Sequence, residues 1–116
     1  VRVTAVRVAG KPLYSSGNVL LTGADEPTFA VTVGNGGEAT ETDIDVEVIL
    51  NTSAERQAKS ETIVRLEPKK MMTVEVGGFI PGALDETARV AIEVEPVEYE
   101  KTTDNNTRKG TVTFGI

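Results

Sequence analysis

Residues 29–50, FAVTVGNGGEATETDIDVEVIL, decide the fold of this chain. In the first part of the stretch, Phe29, Val31 and Val33 alternate with small or polar residues, which is the period of two expected of a strand with one buried face. The second part sets aliphatic residues against carboxylates: Ile44, Val46, Val48 and Leu50 against Asp43, Asp45 and Glu47. A helix would spread the carboxylates around its circumference, whereas a strand collects them on one side. Both parts are therefore predicted to be strands.

The link between these strands begins with Asn35-Gly36-Gly37, residue types that adopt positive φ readily. Such a sequence can close a tight hairpin. It can also begin a longer connection, because the mostly polar residues 38–43 follow before the alternation resumes. We favour the longer connection, which would carry the chain from one sheet to a second.

The same alternation recurs along the chain. We expect about seven strands, near residues 1–8, 29–33, 44–50, 64–66, 72–76, 88–94 and 112–114. In the first, the valines share a face only if the phase slips once near Thr4-Ala5, as a β-bulge allows. Residues 19–21 form a short apolar segment expected at a sheet edge. Residues 51–60 are polar, lack an apolar stripe and are predicted to form a loop.

Two apolar faces, with no predicted helix to cover them, indicate an all-β, two-sheet antiparallel sandwich formed by residues 1–116 as one domain. By analogy with known sandwiches, the first, second, fourth and fifth strands would form one sheet and the third, sixth and seventh the other. Pro68-Lys69-Lys70 would close a hairpin between the fourth and fifth strands, and Phe79-Ile80 would cover one end of the sandwich. The residues predicted to face the core are Phe29, Val31, Val33, Ile44, Val46, Val48, Leu50, Val64, Leu66, Met72, Val74, Val76, Ala88, Val90, Ile92, Val94, Val112 and Phe114.

The composition narrows the functional classes. The net charge of -6 argues against nucleic acid and anionic membrane surfaces as partners, because both attract basic patches. The sequence contains no His and no Cys, so the usual general base, the thiolate nucleophile and the preferred zinc ligands are all missing. No apolar run approaches the length of a membrane span, so we expect no direct membrane insertion. Because the chain begins at Val1 rather than Met, we expect it to be a segment of a longer protein.

Three segments resemble a known family. FAVTVGNGGEAT is similar to a strand followed by an Asn-x-Gly turn, IVRLEPKKMMTVEV to a strand, a Leu-x-Pro turn and another strand, and TTDNNTRKGTVTF to an Asn-Asn turn before a last strand. In this order the segments resemble the CARDB family of Ig-like domains, named for a relation to bacterial cell adhesion. This chain has Lys69-Lys70 where the family commonly has Gly after the Leu-x-Pro turn.

The resemblance implies an Ig-like fold and a non-catalytic, extracytoplasmic module of a bacterial or archaeal protein. Its partners would be other domains of the same chain or cell-surface proteins. It implies neither a cofactor nor a catalytic residue.

Two groups of residues with side-chain oxygens are considered as calcium ligands. Asp43, Asp45 and Glu47 succeed one another at roughly 7 Å along a strand face, which is too far apart for one ion, so we interpret them as a solvated face on which Arg89 could pair with one carboxylate. The second group, Asp104, Asn105 and Asn106, lies in a predicted turn, where oxygen ligands do converge, although Asp and Asn are also common turn residues. We predict no metal site and keep these three as the calcium candidates.

Sugar binding is the remaining specific alternative. Sugar-binding sandwiches stack the sugar ring on exposed aromatic side chains, and there is no Trp. Tyr14 and Tyr99 are the candidate ligand residues, each in a predicted loop. The sequence therefore predicts a structural or interaction module, with a weak glycan- or calcium-binding module as the alternative.

Overall fold

A computed structural model describes residues 2–22, 27–53, 55–80, 85–94 and 106–115. Over these ranges most residues lie in strands and none lies in an α-helix, so none of the ranges forms an apolar helix long enough to cross a membrane. The strands are β1 (Arg2–Val8), β2 (Lys11–Pro12), β3 (Asn18–Leu21), β4 (Phe29–Gly34), β5 (Glu41–Asn51), β6 (Arg56–Leu66), β7 (Met71–Val76), β8 (Thr87–Val94) and β9 (Thr107–Phe114).

The strands form two sheets, and the predicted sandwich is confirmed. One sheet has the order β2-β1-β4-β7 and the other the order β3-β9-β8-β5-β6. The pairing is antiparallel, as predicted, except at one edge of the five-stranded sheet, where β3 and β9 run parallel. The parallel register sets Val19 opposite Val112 and Leu21 opposite Phe114, and all four side chains are buried.

The link after β4 crosses between the sheets, as expected. β4 pairs with β1 and β7 in the four-stranded sheet, whereas β5 pairs with β6 and β8 in the five-stranded sheet. Asn35-Gly36-Gly37 therefore begins a crossing connection and does not close a hairpin.

β6 corrects three predictions. Its first half falls on residues 51–60, which were predicted to be a loop, yet Arg56–Leu66 pairs with β5 along its whole length. β6 consequently belongs to the sheet of β5, and Pro68-Lys69-Lys70 crosses to the other sheet and does not close a hairpin. The polar sequence of residues 51–60 led to the wrong prediction of a loop because β6 is an edge strand, with one face and one edge open to water.

The inward face of β6 was also misassigned. Ile63 and Leu66 are buried, whereas Val64 is 73% exposed. Asp43, whose φ of 53° is left-handed, is next to the strand position where both β5 and β6 lose their alternation. Ile63 and Leu66 are three residues apart and both face the core, so the strict period of two is interrupted between them.

Two predictions on the first strands are confirmed. The register of β1 against β4 shifts between Val3 and Ala5, which is the β-bulge expected from the valine spacing. β3 covers residues 19–21 and lies at an edge of the five-stranded sheet.

The core lies between the two sheets and contains the predicted inward residues except Val64, Met72 and Val74. Met72 and Val74 lie on the edge strand β7, where the inner face is only partly covered. Phe79 packs edge-on against Phe29 with ring centroids 5.3 Å apart, so the loop after β7 does cover the end of the sandwich. Ile80, predicted to join it, is exposed.

Candidate functional site

The structure describes only two of the five predicted candidate residues. Tyr99, Asp104 and Asn105 lie outside the described ranges. Asn106 directly precedes β9 and is buried. Tyr14 lies between β2 and β3 and is 70% exposed, as expected of a loop tyrosine.

The carboxylates of β5 do not converge. Asp45 accepts a hydrogen bond of 2.8 Å from the Thr62 hydroxyl on β6, and Glu47 lies opposite Glu93 on β8. Asp43 is exposed at the left-handed position. Within the described ranges, no three Asp or Glu side chains are grouped closely enough to hold a metal ion.

Arg89 does not pair with these carboxylates, which corrects the prediction. It lies opposite Asn51 on β5, four residues further along that strand than Glu47, which is roughly 13 Å at the usual strand rise. On its other side Arg89 faces Thr111 of β9.

Arg89 lines an open groove of about 750 Å³ on the outer face of the five-stranded sheet. We call it the cationic groove and define it by six of its lining residues: Ser16, Asn51, Arg89, Ala91, Lys109 and Thr111. Strands β8 and β9 form its floor. The loop before β3 and the end of β5 form its walls, three interstrand spacings or roughly 14 Å apart.

Main-chain hydrogen bonds hold the first wall against β9. The Ser16 N–H donates to the Lys109 carbonyl at 2.7 Å, and the Thr111 N–H donates to the Gly17 carbonyl at 2.9 Å. The Gly17 N–H in turn donates to the Tyr14 carbonyl at 2.8 Å. The exposed Tyr14 therefore belongs to the loop that forms this wall.

Gly110 allows the loop before β3 to pack closely against β9. A Cβ at this position would lie 2.8 Å from a methyl carbon of Leu13 and 2.9 Å from the Gly17 carbonyl oxygen. Since Leu13 is buried and the carbonyl is main chain, neither can move aside cheaply. A glycine at this position in β9 therefore permits the close packing of the wall.

The floor combines charge with a small apolar patch. Arg89 and Lys109 are exposed, and Arg56 lies on the same cross-strand row as Arg89, beyond Asn51. Ala91 lies opposite Ile49, which is buried on this outer face and does not belong to the main core. Aliphatic stems of long charged residues can cover such a side chain while their charged ends stay in water.

A second organised site is the corner at Asn35, which is only 3% exposed. Its side-chain amide donates to the carbonyls of Ala39, at 2.8 Å, and Leu66, at 3.0 Å, and its Oδ1 accepts from the Gly37 N–H at 3.0 Å. Its main-chain N–H donates to the Lys70 carbonyl at 3.0 Å, and its carbonyl accepts from the Lys69 N–H at 2.8 Å. One residue thus joins the link after β4 to the crossing after β6, which makes this site structural.

The sequence contained little signal for the groove. Ser16, Asn51, Arg89 and Lys109 are far apart along the chain, and they meet only because of strand order and register. The one available signal was Arg89 on the outer face of the sixth predicted strand, and we assigned it the wrong partner.

No protein-family model matches the sequence, and the search of curated proteins found no match.

Proposed function

We propose that this chain is a non-catalytic structural or interaction module, an Ig-like domain similar to the CARDB family, in a secreted or cell-envelope protein of a bacterium or archaeon. Its partners are other domains of the same chain or cell-surface proteins. The proposal needs neither a cofactor nor a metal.

The Asn35 corner is the observation that carries the proposal. Two of the segments that resemble the family, the one with Asn35-Gly36-Gly37 and the one with Pro68-Lys69-Lys70, are far apart in sequence but meet at this corner. Because one buried hydrogen-bond network connects the two segments, their joint presence supports a fold shared with the CARDB family more strongly than either short match alone.

Location is the first test. In the organism, protease added to spheroplasts and to the surrounding medium should digest this segment of the parent protein, while a cytoplasmic marker stays intact. Protection of the segment in spheroplasts, with digestion only after lysis of the cytoplasmic membrane, would contradict an extracytoplasmic module.

Calcium binding at residues 104–106, which the sequence predicts to form a turn, is the alternative that can be tested directly on the same domain. A ligand that binds only the folded state raises the melting temperature. Under our proposal the melting temperature is the same in millimolar calcium chloride and in excess chelator. A calcium-dependent rise that Asp104→Asn abolishes would establish the alternative.

A further inference from the structure

The cationic groove has an unusual charge for this molecule. The chain as a whole carries a net charge of -6, yet Arg89 and Lys109 both line this groove. Neither side chain makes a hydrogen bond or an ion pair to another residue in the described part of the chain, whereas Arg65 pairs with Glu67 at 3.6 Å and Lys69 with Glu38 at 3.9 Å. The groove therefore presents two available cations to a ligand.

The chemistry of the lining favours a carboxylated ligand rich in hydroxyl groups. The guanidinium of Arg89 matches a carboxylate with two parallel hydrogen bonds, and Lys109 adds a point charge. Around them stand the Ser16 hydroxyl and the Asn51 amide, which can bond to sugar hydroxyls. The Thr111 hydroxyl donates to the Asn18 Oδ1 at 2.8 Å and keeps its lone pairs to accept from a sugar hydroxyl. The volume of about 750 Å³ is within the usual range for pockets that hold a small ligand.

The position of the groove argues against an extended peptide as the ligand. Peptides that bind β-sheets commonly add a strand to a free edge, where main-chain groups are available. Here β8 lies between β9 and β5, and β9 lies between β3 and β8, so both floor strands are paired on both sides. Recognition on the floor of the groove therefore uses side chains.

A single-stranded nucleic acid fits less well. Such ligands are usually held by aromatic side chains on which the bases stack, together with a long basic track. The described lining contains no aromatic residue, and Glu47 and Glu93 lie on the outer face just beyond Ala91. The two cations of the cationic groove instead suit a ligand that carries separate carboxylates on an otherwise neutral sugar chain.

We infer that the cationic groove binds a uronate-bearing polysaccharide, with Arg89 and Lys109 at its carboxylates and with Ser16, Asn51 and Thr111 at its hydroxyls. Tyr14 lies in the loop that forms the wall, and its exposed aromatic ring could contact the end of the bound chain. This inference goes beyond the proposed module and makes one face of it a ligand-binding surface.

The test is a titration of the folded chain with trigalacturonate, followed by amide chemical shifts in NMR and by calorimetry at low salt. We expect shifts at Ser16, Asn51, Ala91 and Lys109, and weaker binding as salt rises, since salt screens exposed charges. Arg89→Gln combined with Lys109→Gln should weaken binding about tenfold or more, because each cation makes a charge-assisted contact.

The matched control is Lys59→Gln, which removes the same charge from an exposed position on β6 outside the groove. It should change affinity less than about twofold, because a distant exposed charge is largely screened. All three substitutions are at exposed sites, and the melting temperature of each variant verifies that it folds.

Four results would overturn the inference. The first is the absence of saturable binding, and the second is equal binding of fully methyl-esterified trigalacturonate, which lacks the carboxylate charge. The third is equal weakening by Lys59→Gln and by the groove variants. The fourth is equal binding of an aspartate tripeptide, which would indicate attraction to anions in general. None of these results bears on whether the domain is extracytoplasmic, so the proposed function is tested separately.

Discussion

At the scale of single residues, a few buried polar side chains hold the irregular parts of the sandwich. Asn35 joins two inter-sheet connections. Gln57 on β6 holds the loop after β7 against that strand. The Gln57 amide donates to the Ile80 carbonyl at 2.8 Å and its Oε1 accepts from the Ile80 N–H at 2.7 Å. Loops that cross a core end need such partners, because their own main-chain groups cannot join a sheet.

Asn35→Ala should lower the free energy of unfolding by about 1–3 kcal/mol, because the buried Leu66 carbonyl loses its side-chain donor. Urea unfolding followed by circular dichroism measures the change. Ser60→Ala, at an exposed site on β6, is the control and should have little effect. Equal stability of the two variants would show that Asn35 does not support the corner.

A second pair of substitutions tests which residues of β6 face the core. Ile63→Ala should cost about 2–5 kcal/mol of unfolding free energy, as expected for truncation of a fully buried aliphatic side chain. Val64→Ala should change it by less than about 0.5 kcal/mol, because the side chain is exposed. A larger loss of unfolding free energy for Val64→Ala than for Ile63→Ala would support the inward-facing Val64 that the sequence predicted.

At the scale of elements, the outer face of the five-stranded sheet is divided by charge along its strands. Towards one end, Glu47 of β5 lies opposite Glu93 of β8, and towards the other end, Arg89 and Arg56 flank Asn51 on a single row. The same strands thus carry an acidic row and a cationic row, separated by Ile49 and Ala91. The acidic face that was predicted to be solvated and the unpredicted groove are parts of one surface.

Glu93→Lys should stabilise the domain by about 0.2–1 kcal/mol, because it replaces a like-charge cross-strand pair with an opposite-charge pair. Thermal unfolding at low and high salt measures the effect, which should shrink as salt rises. Glu75→Lys makes the same change in net charge on β7, opposite the uncharged Ala30, and serves as the control. An equal gain from both variants would assign the effect to net charge alone.

At the scale of the whole molecule, the first strand completes the fold. β1 lies between β2 and β4 in the four-stranded sheet and buries Val3, Val6 and Val8 against the other sheet. Without it, β4 would have a free edge and its core face would lose these neighbours. The sandwich therefore depends on residues at the beginning of the chain as much as on the central stretch.

Deletion of residues 1–9 should abolish cooperative thermal unfolding and collapse the dispersion of the amide NMR spectrum. A synthetic peptide of residues 1–10 should restore part of the dispersion when added in excess, because a peptide that binds only the folded state stabilises it. The same peptide with Val6→Asp should fail, since a charge would be buried. An unchanged melting temperature in the truncated chain would contradict the role of β1.

The sequence by itself determined the strand character of most segments, the crossing after Asn35, the bulge in β1 and most of the core. These features follow from local alternation and turn chemistry, which act between residues close together in the chain. The sheet to which β6 belongs, the parallel pairing of β3 and the cationic groove were decided only by the tertiary structure. An edge strand has water on two sides and needs no apolar pattern, and the groove residues come from separate strands, so strand order and register alone bring them together.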